Sequence, residues 1–216
     1  MNYEFKNIGK DVNIFQPVAI MRPEMIWLAS HIIISEFAYI NGGLGVYVGN
    51  HVHIAAHTSI SGGGYCVMED FTGISAGVRL VTGSAMFNGE GLTSPTLPQK
   101  YQAVRRSYVI LRKHSTLATN VIVHPGVTIG VGTIVASGSV VTKDTEPWSI
   151  YRGIPAVKVK ERDKAKILDY EKKVYDEQGL VPADFVKVID GILDKGEHGS
   201  KCPIVQIQQK HLKGRG

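Results

Sequence analysis

The chain has 216 residues, 44% of them hydrophobic and 20% charged, a balance that excludes a disordered polymer and suits one globular domain with an appendage. No apolar run approaches the roughly 20 residues of a membrane-spanning helix, and the opening MNYEFKNIGKDVN has no apolar signal core, so a cytoplasmic protein without a membrane span is expected. The net charge of +5 gathers mostly after Arg152 and suits phosphate-bearing small molecules as well as nucleic acid; no nucleic-acid partner is expected. Cys66 and Cys202 make no framework and read as free thiols.

Along the chain, aliphatic residues recur every sixth position. The series runs Ile8, Ile14, Ile20, Ile26, Ile32, breaks at AYINGGLG (38–45), and resumes at Val48, Ile54 and Ile60. The run SGGGY (61–65) shifts the phase by two, and the series continues with Met68, Ile74 and Leu80. An interruption with no six-period, 84–107, follows; an excursion of this length inside a compact repeat is usually functional. The clearest stretch comes next: Leu111, Leu117, Val123, Ile129, Val135, Val141. Neither strict alternation nor a period of 3.6 produces this spacing. A period of six predicts a parallel β-helix, each hexapeptide giving one short strand and one turn, with the aliphatic residues stacked inside a triangular coil.

The segment 142–160 ends the coil pattern. Residues 161–178 read as a helix stopped by Gly179, and Pro182 opens a second, ADFVKVIDGILDK; residues from Gly196 carry no assignable pattern. The organisation expected is therefore a β-helix over 1–160 with the excursion 84–107, and helices with a tail over 161–216.

The hexapeptide coils, the excursion and the ending TKD…PW…GIPAVKVK together resemble the left-handed β-helix (hexapeptide-repeat) acyltransferases. The resemblance covers about residues 8–165. It is strongest to nucleotide-sugar N-acetyltransferases and galactoside-type O-acetyltransferases of polysaccharide pathways. It implies an all-β left-handed coil, against the usual right-handed crossover. It also implies acetyl-CoA as co-substrate, a sugar or nucleotide-sugar acceptor, and a homotrimer with each site between two copies. N-transfer onto an amino sugar is the leading reading. O-transfer to a hydroxyl is the alternative. More remote are a metal-dependent hexapeptide enzyme, which needs three imidazoles on one ion, and a non-catalytic scaffold.

Five histidines, His51, His53, His57, His114 and His124, lie at or near the turns. Histidine is the usual base for removing the acceptor's proton. Galactoside-type enzymes place the base after Thr-Gly at the loop's start, but here Thr82-Gly83 is followed by Ser84. In bacillosamine-type enzymes the base ends a hexapeptide, and VGNHVH matches, which makes His53 the first candidate and His57 the second. For the cofactor the resemblance implies Thr119, Ser137, Thr142, Lys143 and Lys160, with Lys158 beside the place of a family arginine. For the acceptor the loop offers Asn88, Glu90, Tyr101, Arg105 and Arg106.

Overall fold

The computed structural model describes residues 3–194; Cys202 and the tail from Gly196 lie outside them. Short parallel strands wind into about seven turns around a three-sided coil. Face one stacks six strands from Asn7–Ile8 up to Val127–Ile129, and face three stacks six from Ala19–Met21 to Val140–Val141. Face two runs from Val12–Ile14 to Ser149–Gly153 and is closed by the antiparallel strand Ala156–Glu161.

The six-residue spacing exists because each face needs one inward aliphatic per coil. In face two, Ile14, Ile34, Ile54, Ile74, Leu117 and Val135 are successive register partners. Face three does the same with Ile20, Ile40, Ile60, Leu80, Val123 and Val141. From the second coil upward these columns are buried and form the core. Tyr3 and Phe5 pack beneath the lowest coil, where the Tyr3 hydroxyl donates to the carbonyl of Val18 at 3.2 Å.

The phase expected for the first coils needs correction. Ile8 pairs with Leu28, not Ile26, and Ile14 with Ile34, not Ile32. The chain gains two residues at the 3-10 turn Pro23–Met25, before the break expected at 38–45, and gains two again across that break. Ile26 and Ile32 are themselves buried, because these strands turn both end residues inward. An aliphatic two places early therefore mimics the true column. Every one of these gains falls at the edge between faces three and one, and the excursion leaves from the same edge.

The other two edges are stacks of left-handed turns. Between faces one and two, Asp11, His31, His51, Phe71, His114, Gly132 and Trp148 all have φ between 52° and 67°. A side chain in this conformation costs roughly 1–2 kcal/mol, and ring stacking offsets it. His31–His51, His51–Phe71 and Phe71–His114 lie 4.8, 5.2 and 5.0 Å apart, with planes within 6° of parallel.

Helix α1 spans Ala165–Gln178 and stops at Gly179, as expected, with φ 59°. It begins four residues later than the sequence suggests, because Ala156–Glu161 pairs with Ser149–Gly153 and carries the chain through Glu161. Helix α2 spans Val186–Leu193. Its Ile189 and Ile192, with Phe185, cover Trp27, Tyr47, Val67, Tyr108 and Ile110 on face one. Above its lowest strand, face one is thus packed on both sides, and among the described residues no helix covers faces two and three. No helix among the described residues is long and apolar enough to cross a membrane.

Candidate active site

The edge between faces two and three carries one group of candidate residues. Phe37, His57, Gly77, Asn120 and Gly138 occupy equivalent left-handed turn positions there, with φ from 59° to 74°. Thr119 and Ser137 each precede one of these residues and are exposed. His57, Thr119 and Ser137 therefore sit on one edge of the prism, spaced by coils about 4.8 Å apart. The His57 ring stacks on Phe37 at 4.9 Å, and its carbonyl accepts from the Arg79 guanidinium. His53 lies four residues earlier and points outward from face two; its Nε2 is 3.3 Å from Oγ of Ser35. The Gly153–Pro155 turn closes over the top of this edge, where the Gly153 amide donates to Oγ of Ser139 at 3.0 Å. Lys158 and Lys160 follow on the returning strand, opposite Tyr151 and Ile150. Lys158 is already engaged: its Nζ lies 2.7 Å from Glu146 and 2.5 Å from Glu161. Those hydrogen bonds push its pKa up.

The excursion forms a second group at the next edge. Gly83–Ala85 and Val104–Arg106 pair as an antiparallel hairpin stem, which the sequence did not announce. The corner Gly62–Gly64 is what lets the stem lie against the coil. A Cβ on Gly64 would meet the Ser107 carbonyl at 2.1 Å, and one on Gly62 would meet the Gly83 amide at 2.3 Å. Between the stem, face one and α2 lies a cavity of about 580 Å³ that includes Glu90 and Arg105 in its lining. Asn88 caps Glu90, its Nδ2 donating at 2.7 Å, and Tyr101 stands exposed at the end of a 3-10 turn. Thr142 and Lys143 follow the last face-three strand and so sit on this edge, not with Thr119 and Ser137. Within one chain the predicted residues thus divide between two edges, and face three separates the halves.

The remaining candidate histidines are held elsewhere. His51 and His114 belong to the ring stack between faces one and two, where burial pushes the His51 pKa down. Nε2 of His114 meets Glu171 of α1 at 2.7 Å, and Lys113 meets the same carboxylate at 2.7 Å. Burial raises the Glu171 pKa, but the bonds from Lys113 and His114 outweigh it and the carboxyl ends below its usual range. His124 is buried at the foot of the excursion edge, its imidazole pushed down by burial. Two residues that line the cavity, Tyr65 and Tyr108, escape sequence reasoning. Their shared register, as the first residues of adjacent strands, was the available signal, hidden by the intervening excursion.

No protein-family model matches the chain. Its relatives nevertheless place it: the chain belongs to the hexapeptide-repeat acyltransferases, built on the left-handed parallel β-helix. It is 30% identical over 155 residues to the putative colanic acid biosynthesis acetyltransferase WcaF of Escherichia coli K12, covering 72% of this chain and 69% of that protein. A dTDP-4-amino-4,6-dideoxy-D-glucose acyltransferase of E. coli is 29% identical over 168 residues, with 77% and 87% covered. Among solved structures, the N-acyltransferase AntD from Bacillus cereus, in complex with dTDP and 3-hydroxybutyryl-CoA, superposes with a TM-score of 0.75 at 33% identity, covering 82% of this chain and 93% of that one.

Proposed function

We propose that this protein transfers an acyl group from acyl-coenzyme A, acetyl-CoA in the first instance, to the amino group of a nucleotide-linked amino sugar. The observation that carries this is the likeness to AntD over nearly its whole length, together with the ligands in that structure, an acyl-CoA and dTDP. A second AntD structure holds dTDP-4-amino-4,6-dideoxyglucose and coenzyme A. The amine nitrogen attacks the thioester carbonyl, the C–S bond breaks, and the amine's proton leaves with the thiol sulfur or through a base. His53 is assigned that base and His57 a contact to the sugar. Thr119 and Ser137 run beside the pantetheine arm, Lys143, Lys158 and Lys160 supply charge to the cofactor phosphates, and Asn88, Glu90, Tyr101 and Arg105 meet the acceptor.

The division of these residues between two edges supports a site shared between copies. One chain's histidine edge faces its neighbour's excursion, and a trimer closes that arrangement. A stable monomer in sedimentation equilibrium would remove this part of the reading.

The functional test is a product survey with acetyl-CoA and UDP-, dTDP- and GDP-linked amino sugars beside their hydroxyl counterparts. Amide formation with one free thiol per transfer is expected for at least one amine. Transfer to hydroxyl sugars alone overturns the N-acyl reading. For the cofactor, Lys143→Ala is expected to raise the Kd for coenzyme A about tenfold or more, the loss of one charge-assisted phosphate contact of about 1.5–3 kcal/mol. Lys158→Ala should do less, because Glu146 and Glu161 share its charge. Calorimetry on both variants checks this, and an unchanged Lys143→Ala affinity puts the phosphates elsewhere.

A further inference from the structure

The cavity at the base of the excursion has walls of two kinds. On the coil side stand Tyr65 and Tyr108, register partners in adjacent coils and so about 4.8 Å apart along the axis. Gly45, the register partner of Tyr65 on the other side, lets the Tyr47 ring lie against it, since a Cβ there would meet that ring at 2.8 Å and the Tyr65 ring at 3.3 Å. On the hairpin side stand Arg105, Arg106 and Glu90, and Ile192 of α2 closes the base. Arg106 lies over Gly63, where a Cβ would meet its Nε at 3.4 Å. A volume of about 580 Å³ falls within the ordinary range of small-ligand sites.

Each wall answers a different part of one ligand class. The half-buried Tyr65 ring can take the π-face of a base by stacking, while Tyr108, buried under α2, backs it. The exposed Arg106 guanidinium presents paired N–H donors that match phosphate oxygens. Glu90 adds an acceptor for a base N–H or a ribose hydroxyl. An aromatic wall, the Arg106 cation and one acceptor in one cleft fit a nucleoside diphosphate.

We propose that this cavity binds the nucleoside diphosphate of the acceptor, with Arg106 as a specificity-determining contact to the diphosphate and the Tyr65 ring, backed by Tyr108, facing the base. This deepens the proposed function and rests on it for the identity of the ligand. Coenzyme A also contains a nucleoside diphosphate. The cavity is assigned to the acceptor because Glu90 and Arg105, proposed to meet the acceptor, line it, whereas of the residues proposed to hold the cofactor Thr119, Ser137 and Lys160 lie at or beside the other edge and Thr142 and Lys143 share this one. With the nucleotide anchored here, the sugar extends from the excursion toward the histidine edge of a neighbouring copy, which accounts for a nucleotide site and a transfer site on different edges of one chain.

The test measures binding of dTDP, UDP, GDP and coenzyme A, each alone, to the full chain by calorimetry. The variants are Arg106→Gln, Ala103→Trp, which fills the cavity from the hairpin side, and Lys172→Gln on the exposed face of α1 as control. At least one nucleoside diphosphate is expected to bind. Its Kd should rise tenfold or more in Arg106→Gln and binding should be lost in Ala103→Trp, with coenzyme A affinity within twofold of the parent and Lys172→Gln unchanged. Arg106→Gln keeps the test decisive if the tryptophan disturbs the hairpin. Unaltered nucleotide affinity in Arg106→Gln overturns the proposal, as does failure of all three nucleotides to bind at millimolar concentration. A loss confined to coenzyme A moves the cavity to the donor and overturns the acceptor assignment. The two readings fail separately: amide transfer with cavity variants that bind nucleotide normally rejects only the cavity, whereas nucleotide binding there without any amine acceptor rejects only the N-acyl reading.

Discussion

Asp70→Ala is expected to destabilise the protein by about 3–5 kcal/mol and to release the helical appendage. Asp70 is only 1% exposed, yet its carboxylate accepts four hydrogen bonds. They come from the Asn50 amide at 2.7 Å, Asn50 Nδ2 at 3.2 Å, the Tyr175 hydroxyl at 2.5 Å and the Ala183 amide at 3.0 Å. Removing the acceptor leaves several buried donors unpaired, and each such group costs about 1–3 kcal/mol, though not additively. Two of the four donors, Tyr175 in α1 and Ala183 between α1 and α2, belong to the appendage, so the loss falls on the helices as well as the coil. Limited trypsin digestion should then cut within α1 at concentrations that leave the parent whole, and the thermal midpoint should fall. Tyr175→Phe removes one partner and should cost about 1.5–3 kcal/mol. Burial first, then Asp70, already pushes the Tyr175 hydroxyl well up, so it remains a donor at any working pH. The neighbouring Glu171 adds a pH signature. Its folded pKa is depressed, so its contribution is present above the ordinary glutamate range near 4.3 and fades as pH drops through the folded value. Unchanged stability and protease resistance in Asp70→Ala would mean that α2 packing on Trp27 and Tyr47 alone holds the appendage.

That contact also marks where sequence reading stops. Asp70 and Tyr175 are 105 residues apart, and nothing local in GYCVMEDF distinguishes a buried acid from a solvated one. The coil was legible for the opposite reason: each rung demands an inward aliphatic at a fixed offset, so the demand repeats in the sequence. It misled only at Ile26 and Ile32, where a second inward residue per strand supplies the right residue type two places early. The helix expected from Glu161 starts at Ala165 because Glu161 is captured by pairing with Ser149, and Arg162 is tied to the coil through the carbonyls of His114 and Gly132. Propensity yields there to an edge strand in need of a partner.

The candidate site divides along the same line. Thr119 and Ser137 are eighteen residues apart, one full coil, so the spacing alone puts them on one edge. Thr142 lies five residues past Ser137, one face further on, and the same arithmetic separates it from them. What spacing could not supply is side-chain partnership. Glu146 and Glu161, which hold Lys158, come from a turn and from the strand's own end. The tyrosine wall of the cavity was hidden because the excursion separates Tyr65 from Tyr108 in sequence while register reunites them.

The largest effect on turnover is expected from His53→Ala, a fall of roughly 10²–10⁴ in kcat if its imidazole takes the proton of the acceptor amine. Binding of coenzyme A should stay unchanged, because a base on the acceptor side touches neither the phosphates nor the pantetheine arm. The position supports the assignment: His53 faces outward from face two, with its Nε2 3.3 Å from the Ser35 hydroxyl. His57 is placed differently. Its ring is stacked on Phe37 and its turn is tied to Arg79, so it suits holding a sugar more than shuttling a proton. His57→Ala should therefore raise KM for the amino sugar and leave kcat within a few-fold of the parent. Steady-state kinetics on both variants, with the acceptor varied at saturating acetyl-CoA, separates the cases. A collapse of kcat in His57→Ala with near-normal His53→Ala reverses the two roles. Full turnover in both means that the amine arrives already neutral and that positioning beside the thioester carries the rate, since well-oriented reactants alone reach effective molarities of about 10⁵–10⁸ M.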